Sequence, residues 1–305
     1  MMAMGATKMH ADEIETDVAL VRRLLAGQFP RWADLPIDPV ISYGTDHDIY
    51  RLGDQLSARL PRIGWATEQA AKEAEWLPKL APLLPLAIPR QLAMGHPAEG
   101  YPYDWSVYEW LPGEDANAGI DDLQQVAVDL AAFVRALRRV GVTGAHHREP
   151  HSRGGPLAEC DAFVRFSIEK LGERIDREAV LRSWEESLNA PVWGGAEVWV
   201  HGDLLPGNLL LVDGRLSAII DFGGFNVGDP ACDLQPVWNV FVGESRTRFR
   251  TELEVDDASW LRGRGWALYQ AVTALAYYWD TNPGMIRQAS HALAQLLADT
   301  SHLPG

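Results

Sequence analysis

The chain has 305 residues, of which 47% are hydrophobic and 23% are charged, and this composition excludes a fibrous or an intrinsically disordered protein. The length fits one domain or two coupled lobes. With 42 acidic and 27 basic residues the formal net charge is −15, which argues against nucleic acid or an anionic membrane as the main partner.

Three features of the sequence bear on where the protein works. Cys160 and Cys232 lie far apart without metal-site spacing, so they form neither a disulfide framework nor a zinc site by themselves. The first 17 residues lack the apolar core of a signal peptide. The longest apolar run, residues 80–89, is broken by three prolines and is too short to span a bilayer. We therefore expect a cytoplasmic protein without a membrane segment. We also expect a monomer or a weak dimer.

Short strands dominate the first third of the chain, after an amphipathic helix whose apolar residues run from Ile14 to Leu25 and whose end is marked by Gly27. Turn signals at Gly44-Thr45-Asp46 and at residues 53–54 separate the first three strands, and a helix over residues 65–80 follows them. This pattern predicts a small sheet with one helix inserted after its third strand. The predicted strands cover residues 37–42, 48–52, 56–60, 89–95 and 105–111.

Pro112 and Gly113 break the chain, and we predict a boundary there between an N-terminal lobe of residues 1–112 and a C-terminal lobe of residues 113–305. The second lobe is predicted to be mainly helical, with one β segment in which residues 213–214 signal a hairpin. Its predicted strands cover residues 198–200, 209–212 and 216–220, and its clearest helices cover residues 121–140, 156–171, 175–189, 257–280 and 283–300.

Three polar residues of this β segment are separated by intervals that indicate a common site. Asn208 follows Asp203 by five positions and Asp221 follows Asn208 by thirteen, so a tight hairpin would bring Asn208 and Asp221 together. The series H-x-D-x-x-x-x-N and then D-F-G has the order and spacing found in kinases. One carboxylate would accept the proton of an attacking hydroxyl, whereas a second carboxylate and an amide oxygen would hold Mg²⁺. Gly202, where protein kinases have Arg, points to kinases of small molecules.

The segment from His201 to Asn208, the sequence Ile-Asp-Phe-Gly at 220–223 and the sequence Gly-Asp-Pro-Ala-Cys-Asp-Leu at 228–234 resemble the aminoglycoside phosphotransferase family. The resemblance implies an α+β, bilobal protein-kinase-like fold: a small antiparallel sheet with one helix in the nucleotide-binding lobe, and a larger, mainly helical lobe for catalysis and acceptor binding. It also implies that Asp203 is the catalytic base and that Asn208 and Asp221 bind Mg²⁺. His201 and Asp233 would support the site structurally.

The same resemblance assigns nucleotide-binding residues to the first lobe, with ATP or GTP as co-substrate. Gly44 would lie in the hairpin that covers the phosphates, and Arg59 would bind them where most relatives carry Lys. Glu73 is the best partner for Arg59. The backbone of Glu109 and Leu111, in the predicted hinge, would hydrogen-bond the purine. The alternatives to Arg59 and Glu73 are Arg62, Glu68 and Glu75.

The acceptor, a hydroxylated small molecule, is the hardest part to predict. The net charge fits a cationic ligand or simply a solvated surface. Aromatic residues near the C-terminal end follow a helical spacing typical of core packing, and a cluster of Arg262 and Arg264 has no explanation in the sequence. Three functions remain open: an O-kinase with an aminoglycoside-like or other hydroxylated acceptor, a primary-metabolism kinase acting on choline, a sugar or an amino-alcohol, or a non-catalytic nucleotide-binding module. The residues considered for acceptor binding are Glu252, Glu254, Asp256, Asp257, Asp280, Trp260, Trp266, Tyr269, Tyr277, Tyr278 and Trp279.

Overall fold

The structure is a computed structural model that describes residues 13–40, 46–145 and 151–299. Its contacts divide the chain into two compact units. Unit 1 contains the described residues up to Pro82 together with Ala87–Pro112, and unit 2 contains Leu83–Leu86 together with the described residues from Gly113 onwards.

Unit 1 is built on a five-stranded antiparallel sheet with the strand order β1-β2-β3-β5-β4. One helix, α1, precedes the sheet, and a second helix, α2, connects β3 to β4. The predicted arrangement of this part of the chain is therefore confirmed. The elements are α1 (Val18–Gln28), β1 (Ile37–Pro39), β2 (His47–Leu52), β3 (Leu56–Pro61), α2 (Thr67–Leu80), β4 (Gln91–Gly95) and β5 (Trp105–Glu109).

Helix α1 begins later than its apolar pattern predicts. The side chain of Asp17 accepts a hydrogen bond of 2.7 Å from the backbone N–H of Leu20 and so caps the helix. Ile14 lies before this cap, where its backbone N–H donates to the carbonyl of Arg62 over 2.9 Å. After this cap, the helix packs one apolar face into the core of unit 1. That face consists of Leu20, Val21, Leu24 and Leu25.

Unit 2 is mainly helical, with a three-stranded sheet in the order β6-β8-β9 and a pair formed by β10 and β7. The predicted helix over residues 156–171 is in fact a 3-10 turn, Leu157–Cys160, followed by α4. The strands are β6 (Glu114–Asp115), β7 (Val198–Val200), β8 (Leu209–Val212), β9 (Arg215–Ile219) and β10 (Asn226–Gly228). The helices are α3 (Leu123–Arg139), α4 (Asp161–Leu171), α5 (Arg177–Leu188), α6 (Pro236–Asn239), α7 (Glu244–Glu252), α8 (Asp257–Tyr278) and α9 (Pro283–Ala298).

Helix α8 explains the basic cluster that the sequence left open. Arg262 and Arg264 are both buried, and a buried guanidinium requires an anionic partner because its desolvation is costly. Arg262 Nε lies 2.6 Å from Asp229 Oδ2, and Arg264 Nη1 lies 2.8 Å from Glu186 Oε2. Both arginines therefore join α8 to its neighbours and serve packing within unit 2.

The aromatic residues of α8 do not all enter the core. Trp266 is fully buried, as its spacing predicts, but Tyr277 is 47% exposed, so the prediction for Tyr277 is wrong. Tyr277 stands in the last turn of the helix, where its ring makes an edge-to-face contact with the ring of Tyr278. Among the helices that the structure describes, none is both long and apolar enough to cross a membrane. The small antiparallel sheet of unit 1 and the helices of unit 2 give the predicted α+β class.

Candidate active site

The hairpin of β8 and β9 brings two of the three predicted chemical residues together. Leu209 pairs with Ile219, and the backbone N–H of Ile220 donates to the carbonyl of Asn208 over 3.0 Å. Asn208 and Asp221 therefore lie at the same end of the hairpin. Asp221 has a φ of 62° and a ψ of 71°, in the left-handed region that Asp tolerates better than most residues.

Asp203 lies in the loop before the hairpin and is tied to Asn208. The side-chain nitrogen Nδ2 of Asn208 donates to the backbone carbonyl of Asp203 over 2.8 Å and contacts the carboxylate oxygen Oδ2 at 3.2 Å. These contacts turn the amide nitrogen towards Asp203, so Oδ1 is the Asn208 atom oriented for another ligand. The side chain of Asp203 is 25% exposed, so a substrate hydroxyl can reach it.

Two residues that the sequence analysis missed contact the other oxygen of this carboxylate. Gln270, on α8, donates from Nε2 to Asp203 Oδ1. Arg153 places Nη2 3.8 Å from the same oxygen. The only signal for Arg153 is its place in residues 146–155, a stretch with three histidines, two arginines and two glycines. Gln270 is a polar residue in a largely buried part of α8.

His201 is fully buried beneath Asp203 and supports its backbone. Its ring nitrogen Nδ1 accepts the backbone N–H of Asp203 at 3.2 Å, so Nε2 carries the proton and donates to the carbonyl of Ile220 at 3.2 Å. Burial lowers the pKa of His201 to about 4, and the ring is neutral near pH 7. With both nitrogens engaged, His201 is suited to support the loop and not to accept a substrate proton.

Asp233 holds the first residues of the same loop. Its two carboxylate oxygens accept the backbone N–H groups of His201 at 2.9 Å and Gly202 at 2.7 Å, and the side chain is fully buried. Burial raises the pKa of Asp233, and the two N–H groups and the nearby Arg138 oppose that rise. Asp233 therefore lies where a structural support would be expected.

Gly202 is required by the backbone at this position. Its φ is 77°, and a Cβ atom there would lie 2.8 Å from the carbonyl oxygen of Gly224. A side chain would therefore be strained by conformation and by contact. Local steric constraints thus explain why this position, which is Arg in protein kinases, is glycine here.

In unit 1 the predicted pairing of Arg59 with Glu73 is observed. Arg59 Nη1 lies 3.0 Å from Glu73 Oε1, and the Glu73 side chain is only 1% exposed. Tyr108, on β5, donates its hydroxyl to Oε2 of the same carboxylate, which is a contact that the sequence did not predict. Two of the three alternatives are engaged elsewhere: Arg62 bonds Asp48 on β2, and Glu75 bonds Lys79. The third, Glu68, stands in the first turn of α2.

The structure says less about the other residues predicted to bind nucleotide. Gly44 lies outside the residues that the structure describes. Glu109 ends β5, where its backbone N–H donates to the carbonyl of Arg90 over 2.9 Å, and Leu111 follows just before Pro112. The backbone of this segment is thus partly fixed by the sheet.

The oxygen atoms of Asn208 and Asp221 suit Mg²⁺ but do not form a complete cage. Across residues 13–40, 46–145 and 151–299, no cluster of three or more His, Cys, Asp or Glu could hold a metal ion. Mg²⁺ is commonly bound by one or two protein ligands together with water and substrate phosphates. The donor set therefore fits a magnesium ion that binds together with a nucleotide.

Comparisons with known proteins place this arrangement in context. A family model described as the phosphotransferase enzyme family matches residues 39–271. No curated protein sequence matches the chain.

Several solved structures share the fold. The GDP and kanamycin complex of APH(2″)-IIia is 18% identical with a TM-score of 0.72, over 90% of this chain and 98% of that one. The streptomycin–ATP ternary complex of APH(2″)-IIa is 16% identical with a TM-score of 0.62, over 95% and 99%. The macrolide 2′-phosphotransferase MphH from Brachybacterium faecium, an apoenzyme, is 22% identical with a TM-score of 0.58, over 92% and 99%. The protein-kinase-like fold expected from the sequence is therefore present.

Proposed function

The chain belongs to the phosphotransferase enzyme family, and on that premise we propose that it transfers the γ-phosphate of ATP or GTP to a hydroxyl group of a small-molecule acceptor. The observation that carries the proposal is the arrangement at the β8–β9 hairpin. There Asn208 and Asp221 share one end of the hairpin, and Asn208 is bonded to Asp203. A base beside two oxygen ligands is the set that phosphoryl transfer needs.

Asp203 is the catalytic base in this proposal. Asn208 contacts one of its carboxylate oxygens and Gln270 the other, so the plane of the carboxylate is fixed. Each oxygen has two lone pairs, so an oxygen that accepts one of these hydrogen bonds can also accept one from the acceptor hydroxyl. The carboxylate orients that hydroxyl and takes its proton as the new O–P bond forms. Asn208 and Asp221 would hold Mg²⁺, which supplies charge neutralisation on the phosphates when bound.

The nucleotide would be bound by residues of unit 1. Arg59 is the proposed ligand of the α- and β-phosphates, and Glu73 limits the rotamers that its long side chain samples. Gly44 is proposed to cover the phosphates, and the backbone of Glu109 and Leu111 to contact the purine. His201 and Asp233 would keep the catalytic loop in place.

An acceptor screen with a coupled nucleotide-consumption assay tests the proposal. The panel contains aminoglycosides, macrolides, choline, sugars and amino-alcohols, each with ATP and with GTP. We expect consumption that depends on one acceptor class and a product carrying one added phosphoryl group by mass spectrometry. Nucleotide binding without transfer to any hydroxyl would favour a non-catalytic nucleotide-binding module instead.

The pairing of Arg59 with Glu73 makes a second prediction. Arg59→Ala should raise the Michaelis constant for nucleotide and lower turnover, and Glu73→Ala should do so more mildly. Because both changes remove one shared interaction, the double variant should be little worse than Arg59→Ala alone. Arg62→Ala is the matched control, since Arg62 bonds Asp48 instead. Fully additive losses would show that the two residues act independently.

A further inference from the structure

Arg153 is held in position by a segment whose backbone packs tightly against the strand β10. The carbonyl of Gly154 accepts the backbone N–H of Asp229 over 2.8 Å, and Ser152 Oγ is bonded to Asn226 Nδ2 over 3.0 Å. A Cβ atom on Gly228 would lie only 2.3 Å from the Gly154 carbonyl oxygen. This close approach depends on glycine and fixes the backbone from which the Arg153 side chain extends.

The guanidinium of Arg153 lies beside the proposed base. Nη2 is 3.8 Å from Asp203 Oδ1, and the guanidinium carbon is 5.5 Å from the centre of the Tyr269 ring. Nη1 is buried and has no hydrogen-bond partner among the residues that the structure describes, although the whole side chain is 26% exposed. Arg153 is thus a cation that the fold holds next to Asp203 and whose hydrogen-bonding capacity is not used up there.

The guanidinium of Arg153 changes the net charge beside the position where an acceptor hydroxyl would bind. Asp203 would attract an ammonium group if it stood alone, but the guanidinium offsets its charge. A hydroxyl bonded to Asp203 brings the neighbouring substituents of the acceptor close to Arg153. An ammonium there would face a like charge, whereas a hydroxyl, carbonyl or carboxylate oxygen would face a donor.

Three of the five acids that the sequence offered for acceptor binding have partners in the structure, whereas Glu254 and Asp280 are exposed. Glu252 lies 3.2 Å from Arg135 and 2.9 Å from Arg248. Asp256 caps α8 by accepting the backbone N–H of Ser259 at 2.6 Å. Asp257, in the first turn of α8, is bonded to Arg250. These three carboxylates already have partners, so an ammonium group would have to compete with those contacts.

We propose that Arg153 is a specificity-determining residue, which selects acceptors with a neutral or anionic oxygen-bearing group next to the reacting hydroxyl and disfavours polycationic acceptors. The inference rests on the proposed function, because it assumes that the acceptor hydroxyl binds at Asp203. It narrows the acceptor to glycosides, polyols or hydroxy acids without an ammonium beside the reacting hydroxyl.

The first test uses the wild-type protein alone. In the acceptor screen, kcat/KM should be higher for neutral or acidic glycosides than for aminoglycosides of similar size. Higher kcat/KM for aminoglycosides would overturn the inference and leave the proposed function intact. If the protein bound no nucleotide and transferred phosphate to no acceptor, the proposed function itself would fail.

The second test measures binding of a polycationic probe. Kanamycin is titrated calorimetrically into the full chain with Mg²⁺ and ADP present, for the wild type, Arg153→Gln and Arg153→Lys. Removing the charge in Arg153→Gln should tighten kanamycin binding by roughly 10-fold or more, and Arg153→Lys should behave as the wild type does. Arg182→Gln, at an exposed site on α5, makes the same change in net charge and should have no effect.

Each outcome of the titration is decisive. Tight binding of kanamycin by the wild type, or equal affinity in the wild type and Arg153→Gln, would contradict the assigned role, and so would failure of Arg153→Gln to bind the probe. An equal gain in Arg182→Gln would show that only net charge matters. Far-ultraviolet circular dichroism and the urea unfolding midpoint show whether each variant is folded. If Arg153→Gln is not folded, the acceptor preference of the wild type still tests the inference.

Discussion

Asp203→Asn is expected to lower turnover by at least about 10²-fold and to leave the affinity for Mg²⁺–nucleotide nearly unchanged. An amide cannot take the proton of the acceptor hydroxyl, but it has the shape of the carboxylate. Asp203 is also not one of the two proposed metal ligands. The loss should therefore appear in kcat, with nucleotide binding preserved.

Steady-state kinetics on the best acceptor, together with calorimetric titration of nucleotide, separates these effects. Asp213→Asn serves as a matched control, because Asp213 stands in the turn of the β8–β9 hairpin and its side chain is exposed. It should retain full turnover. If Asp203→Asn kept most of its activity, another group would have to be the base.

Asp233→Asn should lower the free energy of unfolding by about 3 kcal/mol. Asp233 accepts two buried backbone N–H groups, one on each oxygen. An amide offers a single acceptor oxygen, and its NH₂ group would face the other N–H donor. The neighbouring Arg138 would also lose a buried anion that offsets its charge.

Urea unfolding followed by tryptophan fluorescence measures this loss. Asp213→Asn is again the control, with an expected change within about 0.5 kcal/mol. An equal stability of Asp233→Asn and the wild type would show that the catalytic loop does not depend on this carboxylate, and the structural role of Asp233 would be wrong.

The sequence predicted those parts of the site that depend on elements adjacent in the chain. The interval between Asn208 and Asp221 fits a two-stranded hairpin, and the observed register brings both to one end of it. The pairing of Arg59 and Glu73 was implied by the family resemblance, with a strand followed by a helix as its local support. The start of α1 was predicted too early because a cap at Asp17 overrides the apolar periodicity that includes Ile14.

The contacts that sequence reasoning missed join residues far apart in the chain. Gln270 reaches Asp203 across 67 positions, and Tyr108 reaches Glu73 across 35. No spacing rule links such pairs, since only the packing of α8 and of β5 creates them. Arg153 depends in the same way on the approach of Gly154 to Gly228.

The roles of Asp221 and Asp203 are tested together by calorimetric titration with ATP and GTP, each with and without Mg²⁺. We expect that at least one nucleotide binds and that Mg²⁺ strengthens its binding. Asp221→Asn should remove most of this magnesium dependence, whereas Asp203→Asn should not. Failure of both nucleotides to bind at millimolar concentration, or binding that is indifferent to Mg²⁺ and to Asp221, would contradict these roles.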